Sequence, residues 1–349
     1  MVRERARRRA LAQIGTSIGE AAFDQTEDIG ACILDVQRRL DGVLEDRGGA
    51  FSQSAGELVK GWVASLEHLQ GEGGAGIKTP FHRLNTLVTG LVPGEVFVIA
   101  GRPGCGKTAL ALNLLFHAAE QGHGAGVFSM EMQALLLMNR LCAAGGGHAS
   151  QGGGLVNAQR FRDGRFSESD WKAIYDFAQR AQRLPLHFAD KPSIRPSELR
   201  QQVRRWCRQG VRVVAVDYLQ LIAPEQRGGS RERELAEASR LLKTTAVECG
   251  VSVIVLSQLN REAEKTKRPL LSHLRESGAI EQDADIIVFI VPWKSKGQDA
   301  QGQNVRVELD VAKGRNNTVG SFHLVYRKRF LRFENEPFRP KAESVSRDD

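Results

Sequence analysis

The sequence predicts an α/β fold: a mostly parallel central sheet flanked by helices, with an antiparallel edge extension and a short helical linker region in front. Three observations carry that expectation. Short β-branched runs alternate with helical stretches between Val96 and Ser257, the grammar of parallel strands joined by crossover helices. A glycine-rich loop joins the first of those strands directly to the first of those helices. Beyond Ile286, strand-like runs follow one another with no helix between them, as antiparallel neighbours do.

The length of 349 residues suits one large core with N-terminal additions. Hydrophobic content of 41%, charged content of 26% and a mean hydropathy of −0.31 are ordinary for a globular chain. No apolar run approaches the length of a bilayer span, so no membrane partner is expected. Lys and Arg exceed Asp and Glu by 49 to 41, and the resulting charge of +8 permits a nucleic-acid partner without requiring one. Cys32, Cys105, Cys142, Cys207 and Cys249 include no C-x-x-C pair, which argues against a disulfide framework or a zinc site and for a cytoplasmic location.

Taken in order, residues 1–25 read as a basic tail. Arg3 to Arg9 is arginine-rich, but it lacks the apolar core of a secretory signal and includes Glu4, so a solvated helix is expected there. Residues 26–76 read as the linker region. Thr26 can cap a helix whose first turn carries Glu27 and Asp28 and which runs to about Leu44. Its Ile29, Ile33, Val36, Leu40 and Val43 fall at spacings of three and four, one apolar stripe that must dock on its own core or on another subunit. Gly48, Gly49, Ser52 and Ser54 break the chain before a second helix from Leu58 to Leu69, and Gly71 to Gly76 closes the linker.

The main domain is expected over 77–336, followed by a C-terminal tail, 337–349. Its strands are predicted at Val96 to Ala100, Gly126 to Met130, Leu186 to Asp190, Val211 to Asp217 and Val251 to Ser257. Helices are predicted at Ala109 to Gln121, Ser197 to Arg208 and Glu232 to Glu248. The helix-free series Ile286 to Val291, Val305 to Val311, Ser321 to Tyr326 and Leu331 to Phe333 forms the edge extension. Gly145 to Gly154 is low in complexity and reads as a surface loop.

Gly101-Arg102-Pro103-Gly104-Cys105-Gly106-Lys107-Thr108 matches the phosphate-binding pattern G-x-x-x-x-G-K-[ST], after a strand and before a helix that continues through Ala109. The setting is what makes the match specific. Glycines let backbone N–H groups and the helix N-terminus face phosphate oxygens, Lys107 adds a point charge, and Thr108 offers a hydroxyl to magnesium. ATP and Mg2+ are therefore the expected cofactors. Cys105 is expected to matter for its backbone more than for its thiol.

Three further candidates stand at strand ends, where the carboxyl edge of a parallel sheet forms the ligand crevice. Asp217 ends an apolar run and reads as a magnesium ligand or as a cap for the next turn. Glu131 follows Val127 to Met130 and reads as a base for the attacking water or as a helix-capping acid. Gln258 reads as a γ-phosphate sensor or as an ordinary polar strand exit. Lys313 and Arg315, in Lys313-Gly314-Arg315-Asn316-Asn317, read on their own as an exposed basic strand end.

Phe128-Ser129-Met130-Glu131-Met132, Asp217-Tyr218-Leu219-Gln220-Leu221, Ser257-Gln258-Leu259-Asn260-Arg261 and Leu274-Arg275-Glu276-Ser277-Gly278-Ala279-Ile280-Glu281-Gln282-Asp283-Ala284-Asp285 together resemble, in order, the motifs of the DnaB family of replicative helicases. The similarity runs from the helix near Glu27, which resembles the family's linker helix, to Glu334-Asn335. What it implies is a RecA-like P-loop ATPase that forms a homo-hexameric ring with ATP sites between subunits and moves 5′ to 3′ on single-stranded or forked DNA. It implies Glu131 as catalytic base, Lys107 and Thr108 on the nucleotide, Asp217 on the magnesium side, and Lys313 and Arg315 as a basic pair acting on the neighbour's site. Arg275, Glu276 and Gly278 match the loop that contacts DNA in the central channel. An arginine and backbone N–H groups there can follow phosphates without reading bases. Nearby Lys265, Lys267 and Arg268 add positive charge or simply solvate a loop.

Two departures from the family pattern stand out: Asn317 sits where a glycine is usual, and Gly145 to Gly154 has no counterpart. About two dozen residues precede the linker helix, so the family's helical collar domain is expected to be absent. A helicase loader is then an expected partner, contact with primase is not carried over, and a phage- or plasmid-borne bacterial enzyme fits the shortening. Two other readings compete: a RecA-like recombination ATPase, and an accessory subunit that joins a host helicase ring and uses ATP as an assembly switch.

Overall fold

The computed structural model describes residues 2–23, 29–45, 54–72, 74–145, 154–217, 222, 230–264, 266, 268–274, 278–292 and 304–337. It has two compact units, Met1–Gly73 and Gly74–Asp349. The first is helical: α1 (Val2–Phe23), α2 (Ile29–Glu45) and α3 (Ala55–Glu72). The expected capping residues of α2, Thr26 to Asp28, lie outside the described residues. On α2 Ile33 is exposed while Val36 and Leu40 are half-buried, and Arg39 pairs with Asp35 one turn earlier at 2.7 Å. A second stripe appears on α3, where Leu58, Val59, Trp62, Val63 and Leu66 recur at helical spacing and are all exposed.

The second unit is a nine-stranded sheet with helices packed on it. In chain order it contains α4 (His82–Leu87), β1 (Val96–Gly101), α5 (Lys107–Glu120), β2 (Gly124–Ser129), α6 (Ala134–Gly145), α7 (Arg160–Asp163), α8 (Glu168–Ala181) and β3 (Leu186–Asp190). There follow α9 (Pro196–Arg208), β4 (Val211–Asp217), α10 (Arg231–Cys249), β5 (Ser252–Gln258), α11 (Gly278–Asp283), β6 (Ile286–Pro292), β7 (Asn304–Gly314), β8 (Gly320–Arg327) and β9 (Arg332–Asn335). Strand order is β3-β2-β4-β5-β1-β6-β7-β8-β9, parallel from β3 to β6 and antiparallel from there to β9.

The composition of the strands explains both halves. β1 and β5 are buried on both faces, as expected of near-continuous Val and Ile runs between two helical layers. Phe97 and Ile99 of β1 join the core built by α5 and α6, and Val96, Val98 and Ala100 join the core built by α9 and α10. In β8 burial alternates instead: Phe322, Leu324 and Tyr326 are buried, while His323, Val325 and Arg327 are not. The edge extension therefore has one covered face.

Predicted and observed strands agree to within about two residues at nearly every end, a normal spread for strand boundaries. The sequence reading omitted α6 and α8, and with them the short α4, α7 and α11. Of Gly145 to Gly154, residues 146–153 lie outside the described residues. Cysteines separated in sequence also influence each other: the pKa of Cys207 in the last turn of α9 is pushed up and that of Cys249 at the end of α10 is pulled down by their mutual interaction, and both remain free thiols.

Candidate nucleotide site and subunit-facing edge

The carboxyl ends of β2, β4, β5 and β1 are adjacent, so their exits form one crevice. Ser129 is in register with Asp217, Gly101 with Gln258 and Val216 with Val255, so the exits of the four strands fall within about two residues of one another. The backbone N–H of Met130 donates to the Asp217 carbonyl at 3.0 Å, fixing where Glu131 leaves the sheet. Glu131 is exposed at that rim, and its charge helps to raise the pKa of Asp217. The structure thus brings Glu131, Asp217, Gln258 and the glycine-rich loop to one rim.

The loop after β1 turns tightly enough to begin α5 at Lys107. Gly104 and Gly106 both have positive φ, 75° and 100°, and Gly106 is the N-cap of α5. The first-turn N–H groups of Lys107, Thr108 and Ala109 therefore open onto the crevice, the arrangement that suits an anion. Lys107 Nζ donates to the carbonyls of Gly101 and Arg102 at 3.0 and 3.2 Å, so the ammonium is held inside the loop's own curve. Arg102 reaches sideways to the Asn260 carbonyl at 3.2 Å, tying the loop around Pro103 to the exit of β5. Burial pushes the Cys105 thiol above its ordinary value, and a Cβ on Gly101 would stand 2.5 Å from its Sγ. Cys105 thus packs the loop, in keeping with a structural thiol.

Thr108 Oγ1 donates to Asp217 Oδ2 at 2.9 Å. Asp217 is buried, and burial raises its pKa, with the Thr108 hydrogen bond, Lys107 and Arg140 pulling the other way. A buried carboxylate beside a hydroxyl is a hard-oxygen pair, the donor set that Mg2+ shares with substrate phosphates. Arg140 of α6 was missed by sequence reasoning. It acts electrostatically on both Asp217 and Tyr326, and a lone arginine within an apolar helix offers no pattern by which to find it.

Lys313 and Arg315 sit elsewhere. Gly314 pairs with Ile286, and Ile286 with Phe97, whereas Gly101 pairs with Ile290. The basic pair therefore lies level with the start of β1, four residues below the phosphate loop, or about 13 Å along the strand. Lys313 Nζ donates to the Glu281 carbonyl, and Arg315 to the Gln282 carbonyl at 3.2 Å and to Asp285 Oδ1 at 3.3 Å. Burial and Arg315 lower the pKa of Lys313. The basic pair is thus at the opposite edge of the sheet from its own P-loop.

Gly278 opens α11 and is exposed, but Arg275 and Glu276 lie outside the described residues, as do Lys265 and Lys267. Arg268 is paired with the buried Glu308 at 2.5 Å, so it does more than solvate a loop. Asn317, the departure noted above, accepts hydrogen bonds from the Thr89 hydroxyl and N–H at 3.2 and 3.4 Å and fastens the turn after Arg315 to the loop following α4.

Residues 76–335 match the family model of the DnaB-like helicase C terminal domain. The chain belongs to the DnaB-like helicase family. It is 34% identical over 344 residues to the replicative DNA helicase DnaB of Geobacillus stearothermophilus, covering 96% of this chain and 73% of that one. It is 32% identical over 343 residues to the replicative DNA helicase DnaC of Bacillus subtilis, with the same coverage. Among solved structures, a DnaB-like replicative helicase described with its interactions with primase superposes with a TM-score of 0.77 at 27% identity, covering 96% of this chain and 76% of its own. A second solved structure, an ATPase domain, superposes with a TM-score of 0.71 at 30% identity, covering 82% of this chain and 99% of its own. As in the rest of the DnaB-like family, the fold is a RecA-like ATPase. No helix among the described residues is long and apolar enough to cross a membrane.

Proposed function

We propose that this chain is the motor of an ATP-dependent replicative DNA helicase, hydrolysing ATP at sites shared between neighbouring subunits of a homo-hexameric ring and converting turnover into 5′ to 3′ movement along single-stranded DNA. The observation that carries the shared-site reading is the strand register, which separates Arg315 from its own phosphate loop by the depth of the sheet. A ring of head-to-tail contacts places the lower edge of one subunit against the crevice of the next.

Within one subunit the N–H groups opening α5 and the Lys107 ammonium hold the phosphates, and Gln258 lies in register with Gly101 to meet the terminal one. Thr108 and Asp217 are the residues that would hold Mg2+, which when bound would supply positive charge against the phosphate oxygens. Glu131, exposed at the rim next to Asp217, accepts the proton of the attacking water. The neighbour's Lys313 and Arg315 counter the charge of the transition state. Arg275 and backbone N–H groups at Glu276 and Gly278 follow the DNA phosphates in the channel. The relatives named above are replicative helicases, and they lend no support to the recombination-ATPase or accessory-subunit readings.

The test is unwinding of a forked DNA by the purified chain, with its native mass recorded in the presence of nucleotide. Unwinding by a hexamer is expected, with Glu131→Gln lowering turnover about 10²- to 10⁴-fold while binding of an ATP analogue persists. DNA-stimulated hydrolysis by filaments without unwinding would reject the helicase reading.

A further inference from the structure

A half-exposed arginine at a strand end has many rotamers open to it, and a residue that must meet a phosphate on another subunit needs its guanidinium held. In this fold one residue holds it twice. The Asp285 carbonyl accepts the Arg315 backbone N–H at 2.8 Å, and Asp285 Oδ1 accepts Arg315 Nη1 at 3.3 Å. The other carboxylate oxygen is fixed independently: Oδ2 accepts the Val96 N–H at 2.8 Å and Lys243 Nζ at 2.6 Å. Lys243 is itself anchored on the Gly94 carbonyl at 2.9 Å. Asp285 is buried, so these contacts act in a medium where water competes weakly. Glu95 and Lys313 complete the charged surroundings. A carboxylate serving only to pin β6 to β1 would need the Oδ2 contacts alone; the Oδ1 contact serves a different group. Arg315 uses Nη1 and Nη2 once each here, and its guanidinium has five N–H groups to offer.

We propose that Asp285, braced by Lys243, is the positioning residue that presents Arg315 to the nucleotide of the neighbouring subunit. This rests on the trans-acting reading of Arg315. Val96 also begins the strand that ends at the phosphate loop, so the same carboxylate ties the presented arginine to the rod carrying the subunit's own nucleotide.

The experiment measures DNA-stimulated ATP turnover by Asp285→Asn in the full chain, alone and mixed with Lys107→Ala or Arg315→Ala subunits. Asp285→Asn alone is expected to lose about 10- to 10²-fold in kcat with little change in KM for ATP, because its own phosphate loop is intact. Lys107→Ala subunits carry a sound Arg315 and are expected to restore activity to Asp285→Asn; Arg315→Ala subunits share the same defect and are expected not to. Asp285→Glu keeps the charge facing Lys243 but shifts its carboxylate, and it carries the same expectation if the Asn variant loses its fold. If Lys107→Ala and Arg315→Ala fail to restore each other, the trans-acting reading falls and this proposal with it. If they do restore each other, but the Asp285 variants keep wild-type kcat or restore Arg315→Ala, the positioning role alone is overturned.

Discussion

At Gly106 the backbone takes φ 100°, and the space a Cβ would enter is filled by ring carbons of Phe333 and Tyr326, at 2.9 and 3.1 Å. Those two rings are stacked with centroids 4.3 Å apart, so the floor of the phosphate loop is built from the edge extension. Gly106→Ala meets both a left-handed backbone, costing about 1–2 kcal/mol, and a stack with little room to give. Affinity for a fluorescent ATP analogue is expected to fall at least about tenfold, the effect of 1.4 kcal/mol; unchanged affinity would refute the steric account. The motif foretold the glycine but not the aromatic pair beneath it, because β8 and β9 come more than 200 residues later in the chain. Glu95 makes a second residue-scale case. Burial and Asp285 raise its pKa against the pull of Lys243 and Arg315, and its Oε2 is buried without a hydrogen-bond partner. A folded pKa above the unfolded one means that stability is full below the unfolded value and declines as pH rises through the folded one. Glu95→Gln is therefore expected to melt higher than the parent at neutral pH, with the advantage vanishing below about pH 4. Equal melting temperatures at neutral pH would contradict this.

At the scale of elements, the parallel strands were legible because burial on both faces demands near-continuous apolar runs rich in β-branched residues, as in Val213 to Val216. The edge extension was legible because its strand-like runs follow one another with no helix between them, and the structure adds that β8 buries only one face. α6 was not, since its first N–H is met from a distance: Ala134 donates to Asp190 Oδ2 at 2.8 Å, and Asp190 ends β3. α8, in contrast, carried a readable local signal, the Ser167–Asp170 capping box. β2 tolerates two glycines for a packing reason. A Cβ on Gly126 would stand 2.6 Å from the Trp206 ring, which reaches across from α9 and lies 4.5 Å from Phe128. Gly126→Ala is expected to cost about 1–3 kcal/mol by overpacking, and Trp206→Ala about 3–5 kcal/mol by leaving a cavity. Urea unfolding of the full chain checks both, and a midpoint unmoved by either substitution would show that this contact does not support the sheet.

For the whole molecule, the site proposed above is divided between two edges of one sheet. The crevice half was legible in local motifs, because strand ends and a glycine-rich loop announce themselves within a few residues. The opposite half was not, since Lys313 and Arg315 read locally as a basic strand end, and only the register of β7 on β6 and of β6 on β1 gives their distance from the phosphate loop. The central claim is that these halves meet between subunits. It is tested most directly by mixing Lys107→Ala and Arg315→Ala subunits, each expected to be inactive alone, over a range of ratios and measuring DNA-stimulated ATP turnover. Composite sites predict a bell-shaped recovery that peaks at equal proportions, where about one interface in four pairs a sound phosphate loop with a sound arginine in a randomly mixed ring. Turnover that stays at background at every ratio would contradict the account.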